Sequence, residues 1–207
     1  MSANIRYRGS DYDCWDSETV LDSLLRHGVA FNFSCRKGVC LECMMRTTAG
    51  AAPAAAQAGI DKDLRKGGYF LPCLCRPLTD LTMEPPEAAK VYGRAIVVAK
   101  KRLAPHVCRV TLRPSAPLYY HAGQFILLRR IDGLARAYSL ASVPALDRNL
   151  EIHVKRTPGG HMSKWIFDRL AVGDAIGFHG PCGENYYEPG RADQPLLLIG
   201  NGTGLGP

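Results

Sequence analysis

Four cysteines place the strongest constraint on what this chain can fold into. Cys35, Cys40 and Cys43 stand in the run FSCRKGVCLEC (33–43), with four residues and then two between them. Far downstream, the segment FLPCLCRPLTD (70–80) offers Cys73, with Cys75 two residues on. A C-x4-C-x2-C run with a remote fourth cysteine is the ligand spacing of a [2Fe–2S] cluster. Such a loop must wrap its thiolates around two irons while turning backbone N–H groups inward toward sulfur. Gly38 supplies a residue free to take positive φ within it. A structural zinc site pairs C-x2-C with a second short-spaced pair. Cys73-Leu74-Cys75 has the wrong spacing for that.

The runs SCRKGVCLEC and CLCRPLTDL together resemble the plant-type ferredoxin module. In that module the last ligand is followed by three residues, a proline, two more residues and an aspartate. Here Pro77 and Asp80 stand at those distances from Cys73 and not from Cys75. The resemblance therefore implies Cys35, Cys40, Cys43 and Cys73 as the metal ligands, on a β-grasp fold. One departure is Leu41, where the family usually has a small residue packed close to the cluster.

The 207 residues leave room for two domains, each with its own core. No run reaches the roughly 18 apolar residues of a membrane span, and MSANIRYRGSDYD lacks the apolar stretch of a secretory signal. Eight cysteines could mean disulfides, but a cluster implies a reducing compartment. Cys14, Cys75, Cys108 and Cys182 are then expected as free thiols, and the location as cytoplasmic. The formal net charge is +7. Acids and bases balance over residues 1–90, so the excess lies in 91–207. The basic residues are scattered singly along the chain, which argues against nucleic acid and is compatible with holding the phosphates of a nucleotide cofactor.

In the first part, residues 4–8 read as a strand and Gly9–Asp13 as a turn. A helix is expected over Glu18–His27, capped by Asp16 or Ser17 and ended by Gly28. Its apolar face is Val20, Leu21, Leu24 and Leu25. Met44–Thr48, Tyr69–Leu71 and Leu78–Met83 are expected strands, Asp61–Lys66 a helical turn, and the Ala-rich tract 49–59 a loop. Residues 84–90 read as a linker.

From Val91 the pattern changes. Strands are expected over Tyr92–Lys101, Val107–Arg113, Gln124–Arg130, Leu150–Arg156 and Asp174–His179, with one helix over His161–Leu170. Many short strands with one helix suggest a small β-barrel. ARAYSLAS (135–142) is weak evidence alone. With HAGQFILL (121–128) before it and GGHMSKW (159–165) and GPCG (180–183) after it, the ordered set resembles the ferredoxin reductase flavoprotein family. That resemblance implies FAD, with Arg136 at its pyrophosphate, Tyr138 against the flavin ring or ribityl chain, and Ser139 near the reactive nitrogen. His153, Val154 and Lys155 match the strand beside the flavin edge and diphosphate. Gly160, Met162 and Ser163 open the helix, whose N–H groups favour phosphate.

The chain closes on a four-residue apolar run, 196–199, and GNGTGLGP. This is not G-x-G-x-x-G, since Leu205 occupies the last glycine position. It resembles the Gly-Thr-Gly turn that opens the nicotinamide domain of ferredoxin reductases, with Gly202, Thr203 and Gly204 near NAD(P)H. A doubly wound domain needs on the order of 100 further residues, so a fragment of a longer reductase is expected.

The expected class is α+β. A β-grasp ferredoxin domain over 1–86 precedes a small antiparallel β-barrel flavin domain over 91–190, and residues 195–207 begin an α/β nucleotide-binding domain. Taken whole, the order resembles the reductase component of bacterial multicomponent oxygenases. That implies electrons passing from NAD(P)H through FAD to the cluster, then to an oxygenase or similar acceptor protein. A flavin and iron–sulfur carrier fed by a partner is the alternative, and a cofactor-free interaction module a more distant one.

Overall fold

In a computed structural model, residues 2–184 are described, together with 186, 190, 193, 195, 197, 199, 200, 203 and 204. The chain divides into two compact units, Met1–Val91 and Tyr92–Pro207.

The first unit is built on strands β1 (Ala3–Tyr7), β2 (Ser10–Cys14), β3 (Met45–Ala49), β4 (Tyr69–Phe70) and β5 (Leu81–Glu84). They form one mixed sheet in the order β2-β1-β5-β3-β4, with β1 parallel to β5 and the other pairs antiparallel. The alternation of β1 buries Ala3, Ile5 and Tyr7 on one face. Beneath that face lies helix α1 (Val20–Arg26), whose Val20 and Leu24 complete the core with Phe70, Leu81 and Met83. This is the β-grasp arrangement.

Several boundaries differ from expectation for local reasons. The stretch Gly9–Asp13, expected as a turn, belongs mostly to β2. Arg8 and Gly9 both take positive φ, 52° and 81°, between the paired Tyr7 and Ser10. Two such residues make the tight hairpin turn whose twist matches its strands. Helix α1 starts later than expected, because Glu18 N–H is used in a turn to the Trp15 carbonyl at 2.9 Å. Thr19 is the cap instead, accepting from Asp22 N–H at 3.1 Å. The tract 49–59 contains a short 3-10 helix, Ala54–Gln57, with Ala56 fully buried. The expected linker is tied down as well: Arg46 ion-pairs with Glu84 at 3.3 Å and with Glu87, and Ala88–Val91 forms a helical turn.

The second unit is a barrel. Strands β6 (Gly93–Ala104), β7 (Val107–Pro114), β8 (Phe125–Arg129), β9 (Ala135–Ser139), β10 (Leu150–Lys155) and β11 (Ala175–Cys182) run in the order β10-β7-β6-β11-β8-β9, every pair antiparallel. The two ends of this sheet meet. Leu140 bridges Ile152, and Ala141 N–H donates to the Glu151 carbonyl at 2.7 Å. Closure removes the sheet's open edges. Inside lie Val97, Val110, Leu112, Ile126, Leu128, Ile152 and Val154. Helix α4 (His161–Asp168; α2 and α3 being Lys62–Lys66 and Ala88–Val91) adds Met162 and Ile166 to the same core. Its end is held by Lys100, whose Nζ donates to the Phe167 and Leu170 carbonyls at 3.0 and 2.9 Å.

Of the apolar run 196–199, Leu197 and Ile199 are described, and both lie exposed and outside any strand.

Candidate functional site

The cysteine loop is positioned by contacts that begin in α1. The first N–H groups of a helix lack intrahelical partners, and here Val20 N–H donates to the Cys75 carbonyl at 2.8 Å and Leu21 N–H to the Pro72 carbonyl at 3.1 Å. The helix start thus brackets Cys73. Leu71 N–H donates to the Ala56 carbonyl at 2.8 Å, so the Ala-rich tract fixes the same segment from another side. Arg36 ion-pairs with Asp22 of α1 and lies over the Phe33 ring at 5.7 Å, anchoring the loop itself.

Within the loop, Arg36, Gly38 and Leu41 all take positive φ, at 55°, 77° and 58°. A Cβ on Gly38 would stand 2.4 Å from Leu74 Cδ1. Leu41 is buried, and the left-handed conformation costs such a residue about 1–2 kcal/mol. These turns aim N–H groups at sulfur. Cys35 Sγ accepts from Lys37 and Cys40 N–H, each at 3.3 Å, and Cys40 Sγ accepts from Cys35 N–H at 3.5 Å.

The thiols fall into two pairs. Cys35 and Cys40 share the hydrogen bonds just described, while Cys43 and Cys73 hydrogen-bond each other through their side chains. Burial pushes Cys35 up, yet the N–H donors outweigh it and leave the thiol below its ordinary value. Burial pushes Cys40 up to about 11. The Cys43 hydrogen bond pulls Cys73 down and raises Cys43 itself. Cys75, fully buried in the core beside Cys14, is pushed up to about 12 by burial. Cys40 and Cys43 are raised as well, so what sets Cys75 apart is its place: it lies in the apolar core beside Cys14, whereas the other four face one another around the N–H-lined loop. Among the described residues no three His, Cys, Asp or Glu side chains gather as a single ion would need. Two thiol pairs with inward N–H groups fit a cluster of two irons.

The second unit holds a cavity of about 290 Å³ lined by Ala137, Tyr138, Ser139, His153, Lys155, Thr157 and Thr203. Strands β9 and β10 form its walls where the barrel closes. The period-2 alternation of β10 buries Leu150, Ile152 and Val154 and turns Glu151, His153 and Lys155 outward. Tyr138 also packs against the barrel core. The lining offers hydroxyls, an imidazole, an ammonium and an aromatic ring, donors and stacking surface that suit a flavin carrying phosphate groups.

Of the residues expected at the flavin, Tyr138, Ser139, His153 and Lys155 meet here, and Thr203 joins them. The others lie elsewhere. Val154 and Met162 are core side chains. Arg136 is half-buried on β9, its Nη1 donating to the Ala135 carbonyl at 2.7 Å. Ser163 is buried and used locally, accepting from Thr157 N–H at 3.1 Å and donating to the Gly160 carbonyl at 3.2 Å. Gly160 caps α4 with no side-chain hydrogen bond, so the helix presents open N–H groups. A Cβ there would sit 2.6 Å from Ser163 Oγ. Gly204 lies in a turn, and Gly202 falls outside the described residues. Sequence reasoning missed Ala137 and Thr157, although Ala137 lies within ARAYSLAS and Thr157 stands two residues before GGHMSKW.

Comparison with known proteins agrees with this geometry. Residues 4–78 match the 2Fe-2S iron-sulfur cluster binding domain and residues 94–187 the oxidoreductase FAD-binding domain. The chain is 34% identical to the reductase subunit of an aromatic O-demethylase from an Amycolatopsis species, covering 100% of this chain and 66% of that protein. It is 32% identical to the reductase component of a phenol 2-monooxygenase from a Pseudomonas species, covering 99% of this chain and 62% of that protein. The chain thus spans a little under two thirds of these relatives. Among solved structures, a ferredoxin reductase in carbazole 1,9a-dioxygenase matches with a TM-score of 0.56 at 29% identity, over 100% of this chain and 68% of that one. The chain carries a domain of the 2Fe-2S iron-sulfur cluster binding family ahead of one of the oxidoreductase FAD-binding family, the order its reductase relatives share.

Proposed function

We propose that the protein is an electron-transfer reductase that takes electrons from NAD(P)H and delivers them singly to an oxygenase component or similar acceptor protein. The observation that carries this reading is the presence in one chain of two paired thiols in an N–H-lined loop and a hydroxyl-, imidazole- and ammonium-lined cavity where the barrel closes. When bound, FAD supplies the means to take an electron pair and release it one electron at a time to a one-electron cluster.

The residues have distinct tasks. Cys35 with Cys40, and Cys43 with Cys73, would hold the two irons, and the loop N–H groups would stabilise charge on sulfur. Tyr138, Ser139, His153 and Lys155 would bind and orient the flavin. Arg136 and the open N-terminus of α4, from Gly160 through Met162 and Ser163, would receive phosphate through charge and backbone N–H groups, with Val154 as the support beneath. Gly202, Thr203 and Gly204 would approach the nicotinamide nucleotide. The ferredoxin domain would occupy 1–86 and the flavin domain 91–190, with 195–207 opening a nicotinamide-binding domain. A cluster and eight thiols without disulfides point to a cytoplasmic location.

The test is anaerobic reduction of the reconstituted chain by NADH, followed in the visible. Bleaching of flavin absorbance and then of the cluster is expected. Bleaching by dithionite but not NADH would favour a carrier fed by a partner or a fragment short of its nicotinamide domain, and a protein that takes up neither group would reduce the chain to an interaction module.

A further inference from the structure

The outward face of β10 carries a charged residue that the flavin reading leaves without a task. Glu151 Oε1 stands 3.2 Å from His153 Nε2, and its Oε2 stands 3.3 Å from Arg109 Nε. Arg109 is the register partner of His153 on β7, so the carboxylate sits between facing residues of adjacent strands. Arg109 Nε is buried with no hydrogen-bond partner among the described residues, so the Glu151 charge is what offsets it. The backbone of Glu151 is fixed on both sides. Its carbonyl accepts from Ala141 N–H, and its N–H donates to Ser142 Oγ at 3.0 Å, which in turn lies 2.6 Å from Tyr120 Oη. A carboxylate accepts and does not donate, so the proton of the His153 ring belongs on Nε2.

We propose that Glu151 is a positioning residue of the flavin cavity, holding His153 with Nε2–H turned to its carboxylate and leaving Nδ1 for the bound cofactor. This rests on the reading that the cavity takes FAD. A glutamine at this position has one acceptor and one donor end. It can satisfy His153 Nε2–H or face Arg109, and an amide N–H toward Arg109 opposes donor to donor. The isosteric change therefore loosens the imidazole without removing bulk.

The experiment uses the full chain, stripped of flavin. FAD binding is followed by quenching of flavin fluorescence, and the tautomer of His153 by its ring 15N shifts. Glu151→Gln is expected to bind FAD about tenfold more weakly, the lower end of what a hydrogen bond to a charged group contributes. Its His153 shifts are expected to move from the Nε2–H form toward a mixture. His153→Asn should also weaken binding, and the double variant should be no weaker than His153→Asn alone, because the carboxylate acts through the ring. An unchanged dissociation constant in Glu151→Gln, an unchanged ring signature, or losses that add in the double variant each overturn the proposal while the flavin reading stands. A wild-type chain that does not quench FAD overturns the flavin reading and this inference with it.

Discussion

Replacing Cys73 and Cys75 by serine, one at a time, separates two neighbouring thiols by their surroundings. Cys73 is held below its ordinary value by the Cys43 side chain, in a segment bracketed by the start of α1. Cys75 is fully buried among core residues and pushed up to about 12 by burial. Serine at 73 removes one of four thiolates and substitutes a hydroxyl that stays protonated near neutral pH, so the visible absorbance of the cluster should disappear or be badly destabilised. Serine at 75 leaves the ligand set intact but puts a hydroxyl into an apolar site. Without a partner that costs about 1–3 kcal/mol, which in a unit of this size lowers the unfolding midpoint by roughly 4–24 °C. The assay is anaerobic reconstitution with iron and sulfide, reading the visible spectrum and the thermal midpoint of each variant. A cluster spectrum retained in Cys73→Ser and lost in Cys75→Ser would refute the assignment and the reasoning from thiol environment together.

Other perturbations test the supports. Thr19→Ala removes the cap of α1 and should cost about 1 kcal/mol in thermal unfolding; because α1 brackets Cys73, it should also speed cluster loss to a chelator. Gly160→Ala places a Cβ 2.6 Å from Ser163 Oγ and 3.0 Å from the Thr157 carbonyl, so the start of α4 must shift. The expected outcome is weaker FAD binding by fluorescence titration, with the cluster spectrum untouched. Lys100→Met deprives the Phe167 and Leu170 carbonyls of their donor and should lower the midpoint of the barrel unit by an amount matching about 1–3 kcal/mol, leaving FAD affinity nearly unchanged.

Much of this was legible in the sequence, because it is written in local patterns. The spacing of Cys35, Cys40 and Cys43 records a loop geometry, and the alternation of Leu150–Lys155 records a strand with His153 and Lys155 on one face. What stayed hidden depends on partners distant in the chain. β2 has no apolar alternation to announce it and exists because β1 pairs with it across the Arg8-Gly9 turn. β9 was noticed as a motif and not as a strand, since ARAYS becomes one only against β8. The cap of α1 fell to Thr19 because carbonyls at Pro72 and Cys75 fix where the helix starts. Glu151 was unremarkable until β7 brought Arg109 opposite His153. The left-handed Leu41 could not be read at all: its bulk was visible and its conformation was not.

The central claim is that this one chain carries a two-iron cluster and a flavin that exchange electrons. Anaerobic reductive titration of the reconstituted protein by dithionite, alongside iron, sulfide and flavin analysis, tests it most directly. The account predicts two irons, two sulfides and one FAD per chain, with three electrons taken up per chain, one by the cluster and two by the flavin. A colourless protein, one that holds a single zinc in place of iron, or one that takes up no electrons would contradict it.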